Sequence, residues 1–382
     1  MNVLDQLRQA RPEVLSDSPV DARTRATELS HAMAQPRPSR RRRKTVRPVW
    51  GLGLLGAAAA ATAVTVMLTG AGGTAPRAPS ATTAAPQPAS DRQIHLSARE
   101  ILLTAAQRAE SRREATGAYW HTVGVQRTLF KVDGAGYTVV NSQRSESWTP
   151  SAPGGEQWSR ASSLGAQPAT PQDVEAWRQA GSPAEIRVKV PGKGTVELST
   201  EPRAAEVGHA PLVDGDKVFW LGRNVSMKDL RSLPSTPAGL RKWLLRSYGG
   251  HGTESGDPMS SDDWLFAVTT GLIRDMPVTP QVRGAAFRML ADLKNIEVID
   301  DVKDAEGRTG TAIAVRQRLG AKGGDGAVLQ SRLIMDETTG QALAQESVVV
   351  EPGGLQAGLE PGAVSDSYTI LESGWTDSEP AS

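Results

Sequence analysis

Acid–base and nucleophilic chemistry both need a proton acceptor held within hydrogen-bond reach of a second reactive group. Beyond residue 90 the histidines on offer are His95, His121, His209 and His251, and no fixed interval relates them. The sequence holds no H-E-x-x-H, G-x-S-x-G or G-x-x-x-x-G-K-[ST] pattern, so it encodes no local zinc-protease, hydrolase or phosphate-loop signature. Cys is absent, which excludes thiol catalysis, disulfides, zinc ribbons and iron–sulfur clusters. Acids gather at Asp262-Asp263, at Asp300-Asp301, and at Asp304 and Glu306. None of these has the D-x-[DN]-x-[DN]-G-x5-E spacing of a calcium loop. The first pair reads as first-turn helix acids and the others as turn residues. We therefore expect no catalytic, cofactor-binding or metal-ligating residue and no cofactor.

Gly51-Leu52-Gly53-Leu54-Leu55-Gly56 fits G-x-G-x-x-G. A dinucleotide site would need a strand before it and an acid about 20 residues on. Arg47-Pro48-Val49-Trp50 is no strand, and the next acid is Asp91. The glycines suit a close helix approach instead. Tryptophan is the other unusual resource, since 9 Trp stand beside 4 Phe and 4 Tyr. Most of them are expected to fill core space. Trp120, Trp148 and Trp158 are candidates for lining an apolar groove that takes a lipid, glycan or peptide.

These residues must be positioned by an outer domain that begins near Asp91. Ser97 and Glu100 form a capping box, and Ile101, Leu102, Ala105, Ala106 and Ala109 share one helical face. Tyr119 to Val132 and Tyr137 to Thr149 read as a hairpin around Asp133-Gly134-Ala135-Gly136, with a further strand over Gln157 to Ser163. Helices are predicted over Gln172 to Ala180, Thr236 to Tyr248, from Ser261, and over Gln281 to Leu293. The apolar residues of the third are Trp264, Leu265, Val268, Leu272 and Ile273. Strands return at Ile296 to Val302, Gly310 to Leu319, Ala327 to Asp336, Gln341 to Glu351 and Val364 to Gly374. Runs of strands and helices segregated in this way predict an α+β domain, an antiparallel sheet covered by helices.

Val49 to Thr69 contains no Asp, Glu, Lys or Arg. At about 1.5 Å per residue it would span roughly 31 Å, close to a bilayer core of about 30 Å. Arg40, Arg41, Arg42, Arg43, Lys44 and Arg47 precede it and orient it by the positive-inside rule. The long leader and the length of the run set it apart from a cleaved signal peptide. Residues 1–48 carry 11 Lys and Arg against 5 Asp and Glu, a net of +6, whereas residues 49–382 carry 32 against 37, a net of −5. The expected organisation is a basic cytoplasmic tail over 1–48, a transmembrane helix over 49–69, a Pro/Ala-rich linker over 70–90 and an extracytoplasmic domain over 91–382. Such a chain sits in the cell membrane as a single-pass protein, N-terminus inside. Its basic flank contacts anionic lipid, and nucleic acid is not an expected partner.

The layout resembles a family of single-pass membrane proteins of high-GC Gram-positive bacteria. The likeness is carried by Ala98-Arg99-Glu100-Ile101-Leu102-Leu103, by Ala118-Tyr119-Trp120, by the run from Pro277 to Leu290, and by Asp336-Glu337-Thr338-Thr339-Gly340 through Ala344. These motifs are structural, so the resemblance implies no catalytic residue. The outer domain also resembles, more distantly, the fold of lipoprotein carriers and periplasmic anti-sigma regulators. The leading expectation is a non-enzymatic, membrane-tethered extracytoplasmic binding or sensing module. The alternatives are an anti-sigma-type regulator acting through the tail and an anchored envelope hydrolase.

Overall fold

The structure is a computed structural model that describes residues 97–190, 194–253, 257–319 and 326–378. The basic tail, the apolar run Val49 to Thr69 and the linker lie outside the described residues. Among the described residues no helix is long and apolar enough to cross a membrane.

Helix α1 (Ala98–Ser111) opens on the expected capping box, with Ser97 and Glu100 exchanging side-chain and backbone bonds. Three long strands follow: β1 (Tyr119–Lys131), β2 (Thr138–Pro150) and β3 (Glu156–Pro168). Next come α2 (Pro171–Gln179) and the hairpin of β4 (Glu185–Val190) with β5 (Gly194–Ser199). Strand β6 (Glu206–Pro211) precedes a second hairpin, β7 (Lys217–Trp220) with β8 (Arg223–Ser226). Four helices then run in series: α3 (Met227–Arg231), α4 (Pro237–Leu245), α5 (Ser261–Arg274) and α6 (Pro280–Ala291). Strands β9 (Glu297–Lys303), β10 (Thr309–Arg318), β11 (Val328–Asp336), β12 (Gln341–Glu351) and β13 (Val364–Thr376) complete the domain.

Nine strands form one antiparallel sheet in the order β6-β3-β2-β1-β13-β12-β11-β10-β9. The α+β layout with a large antiparallel sheet is thus observed. The last strand returns to the first, so β13 sits between β1 and β12 and joins two meanders into one surface. The β1–β13 register shifts between Val123 and Gly124, where Leu371 of β13 is the extra residue. A Cβ at Gly124 would lie 2.4 Å from the Tyr368 ring, so only glycine lets that ring cross β1.

The main core lies between helices and sheet. Ile313 and Val315 of β10 and Leu333 and Met335 of β11 pack with Leu265, Leu272, Phe287 and Leu290. Helix α5 is buried on every side, from Trp264 to Ile273. The helix packs against β10 and β12 on one side and against α4 and α6 on others, so Phe266, Ala267, Thr269 and Thr270 are enclosed as well. Helix α1 lies close against α6, and a Cβ at Gly284 would fall 2.3 Å from Glu110 Cγ.

One expectation is corrected. Asp300 and Asp301 lie inside strand β9, where the β9–β10 ladder is irregular and Asp301 adopts φ 54°, rather than in a turn. Asp304 does make the expected turn: its carboxylate accepts from the Glu306 and Arg308 amides and from the Arg308 side chain.

Candidate ligand-binding cavity

Strand residues two apart share a face, and register partners lie side by side. On the helix-facing side, one row of partners runs Gln143, Gln126, Tyr368, Gln345, Leu333, Ile313 across β2, β1, β13, β12, β11 and β10. The next row runs Thr128, Asp366, Ser347, Ser331, Val315. Both rows change from hydrogen-bonding to aliphatic side chains as they approach β10. Where they are aliphatic, helices press on them. Where they are polar, a cavity of about 550 Å³ separates sheet from cover. Its cover includes Phe266, Ala267 and Gly271 of α5, Trp220 to Gly222 at the β7–β8 turn, and Met259 and Met276. The volume falls within the range of about 300–1,000 Å³ typical of small-molecule sites.

The arginine on the α5 wall of the cavity is paired. Arg274, at the end of α5, meets Asp275 Oδ2 from Nε at 2.9 Å and from Nη2 at 2.7 Å. Its Nη1 donates to Gln345 Oε1 at 2.6 Å, and its guanidinium lies 4.9 Å from the Tyr368 ring centroid. Burial disfavours the Arg274 charge, but the adjoining Asp275 carboxylate more than offsets this and raises the pKa. Asp366 accepts a 2.6 Å bond from Gln126 Nε2. Burial pushes the Asp366 carboxyl well above the usual carboxylate range, with the Gln126 bond opposing. Burial likewise raises the Tyr368 phenol. The floor is thus biased towards neutral hydrogen-bonding groups.

The tryptophans proposed from sequence do not form one groove, and none of them lines this cavity. Trp120 partners Thr149, whereas His121 partners Trp148, so Trp120 and Trp148 occupy opposite faces. Trp120 is buried behind the α5 C-terminus, donating from Nε1 to Asp275 O at 2.6 Å and meeting Trp375 edge-on at 5.3 Å. Trp148 and Trp158 are register partners on the reverse face. There Trp148 stacks on His121 at 4.7 Å and Trp158 stacks on His209 at 4.5 Å. His121 bridges Glu146 at 3.0 Å and Glu372 at 3.3 Å, and Arg160 reaches Glu146 at 3.2 Å. His209 pairs with Glu156 at 2.8 Å, and His251 bonds Gly252 O at 2.7 Å. Among the described residues no group of three His, Asp or Glu is arranged to hold a metal ion.

Sequence reasoning missed Gln126, Gln143, Gln345, Asp366 and Tyr368. A signal for them does exist. Gln126 with Thr128, Gln143 with Ser145, Gln345 with Ser347, and Asp366 with Tyr368 are polar pairs at period two on adjoining strands. The pattern marks a polar face, but not that helices cover it. Compared with known protein families, curated proteins and solved structures, the chain matches none.

Proposed function

We propose that this chain is a membrane-tethered, non-enzymatic binding or sensing module whose ligand occupies the cavity between α5 and strands β1, β2, β12 and β13. The observation that carries the reading is the hollow itself. A helix layer over a sheet ordinarily packs to near-crystalline density, yet here a space of about 550 Å³ lies over hydrogen-bonding side chains. Burying such groups without partners costs roughly 1–3 kcal/mol each. A ligand can take up the hydrogen-bonding capacity that internal bonds, such as Gln126 to Asp366 and Arg274 to Gln345, leave open.

The tether rests on the sequence alone, on Val49 to Thr69 beside the basic collar from Arg40 to Arg47. It places the domain outside the cytoplasmic membrane and the tail inside, where the tail can report occupancy.

The test is native mass spectrometry of the full chain released from its own membranes. A bound small molecule is expected on the unaltered protein. It should be lost in Ser145→Trp, which fills the floor beside Gly124 and Tyr368. A chain with no adduct, or an adduct indifferent to that substitution, would overturn the reading.

A further inference from the structure

The chemistry of the cavity wall narrows what it can hold, on the assumption above that the cavity is a ligand site. The floor offers side-chain amides from Gln126, Gln143 and Gln345 and hydroxyls from Thr128, Ser145 and Ser331. Each amide both donates and accepts, and so does each hydroxyl. A bare alkyl chain laid on this floor would strip water from these groups and return no hydrogen bonds. An anionic ligand meets an arginine that is already matched, Arg274 by Asp275. The opposite wall has a different character. Ala267, Met259 and Met276 are apolar there, and Trp220 adds an aromatic ring.

A fitting molecule is compact, uncharged, rich in paired donors and acceptors along one side, and carbon-faced on the other. A pyranose ring has this anatomy, with equatorial hydroxyls at its rim and C–H groups on its faces. An acetamido substituent adds an amide that can pair with a glutamine side chain and a methyl group that can meet the apolar wall. We propose that the cavity binds a neutral glycan fragment of one or two acetamido-bearing sugars.

Thr128 and Gln143 are the residues that test this most cleanly. Both line the cavity, and near-isosteric apolar replacement keeps their volume while deleting their polar atoms. The full-length chain in phosphatidylglycerol nanodiscs is titrated calorimetrically with N,N′-diacetylchitobiose, with trialanine and dodecanoate as parallel probes. Binding of the sugar with a dissociation constant below about 1 mM is expected. It should be weakened at least tenfold by Thr128→Val with Gln143→Leu and abolished by Ser145→Trp. The urea midpoint of the double variant should stay unchanged, which separates lost recognition from lost folding.

Trialanine or dodecanoate binding in place of the sugar, and lost in Ser145→Trp, would overturn the glycan assignment and leave the cavity standing as a ligand site. Sugar binding that survives all three substitutions would place it elsewhere on the chain and overturn the proposal. Binding of none of the three probes would also overturn the glycan assignment. The mass-spectrometric adduct then decides separately whether the cavity reading falls with it.

Discussion

Strands β10 and β11 and strands β1, β2, β12 and β13 belong to one sheet and face one helix layer, yet they meet it differently. Across β10 and β11 the inward residues Ile313, Val315, Leu333 and Met335 are fully or almost fully buried and packed. Across the other strands the inward residues Gln126, Gln143, Gln345 and Ser347 are only partly covered and border the cavity. The boundary falls within a single row of register partners, between Gln345 and Leu333. The same backbone ladder thus supports a closely packed region and a hollow one. Side-chain polarity at alternate positions decides which is which. Apolar rows draw α5 and α6 down through burial worth roughly 25 cal/mol per Å², and polar rows hold the cover off.

Truncation on either side of that boundary should give the widest contrast. Leu333→Ala is expected to cost roughly 2–5 kcal/mol in urea unfolding, because it opens a void in a closed core. Gln143→Ala should change stability by under about 0.5 kcal/mol, because its side chain already borders a void. Equal losses at the two positions would show that the cavity collapses in solution.

The reverse face of the hollow half provides a pH test. Glu346 is the register partner of Arg332 and Ser367 and is buried. Burial pushes its carboxyl from the ordinary 4.5 up to about 7, with Arg332 opposing and Asp304 adding to the rise. Between these values the folded chain holds a proton that the unfolded chain has released. Stability should therefore fall as pH climbs from about 4.5 to about 7 and be level above that, by at most roughly 3 kcal/mol. Glu346→Gln should flatten this stretch of the urea-midpoint profile against pH. A profile that keeps its slope would assign the effect to another group.

A smaller loss than at Leu333 or Glu346 is expected at the paired hydroxyls of Thr122 and Ser147, both buried and 3.1 Å apart. Thr122→Val alone should cost about 1–2 kcal/mol by stranding the Ser147 hydroxyl. Adding Ser147→Ala should recover most of that loss. A fully additive pair would mean that the two hydroxyls do not depend on each other.

What the sequence revealed depended on length and period. The β1–β2 hairpin was legible from two runs of thirteen or so residues around Asp133-Gly134-Ala135-Gly136, and the observed strands are β1, Tyr119–Lys131, and β2, Thr138–Pro150. Helix α1 announced its start through Ser97 and Glu100. Strands β7 and β8 are four residues each, too short for alternation to fix their bounds. The burial of α5 on all sides was hidden because its enclosing layers come from distant stretches of chain. The cavity floor was hidden for a related reason. Polar alternation at Gln126 and Thr128 looks the same whether water or a helix lies above it. The tryptophans misled because Trp120 and Trp148 differ by one step of register, and that step separates the two faces.

The sheet does not close on itself, so β6 and β9 are its outer margins. An open margin is a template on which a second chain can stack, and repeated stacking leads to fibrils. Pro211 ends β6 with a residue that has no amide hydrogen to offer. In β9 the left-handed turn of the backbone at Asp301, with Asp300 beside it, puts a kink and negative charge where an incoming strand would have to lie flat. The residues first read as surface turn acids thus lie where they disfavour strand-on-strand addition along the β9 margin.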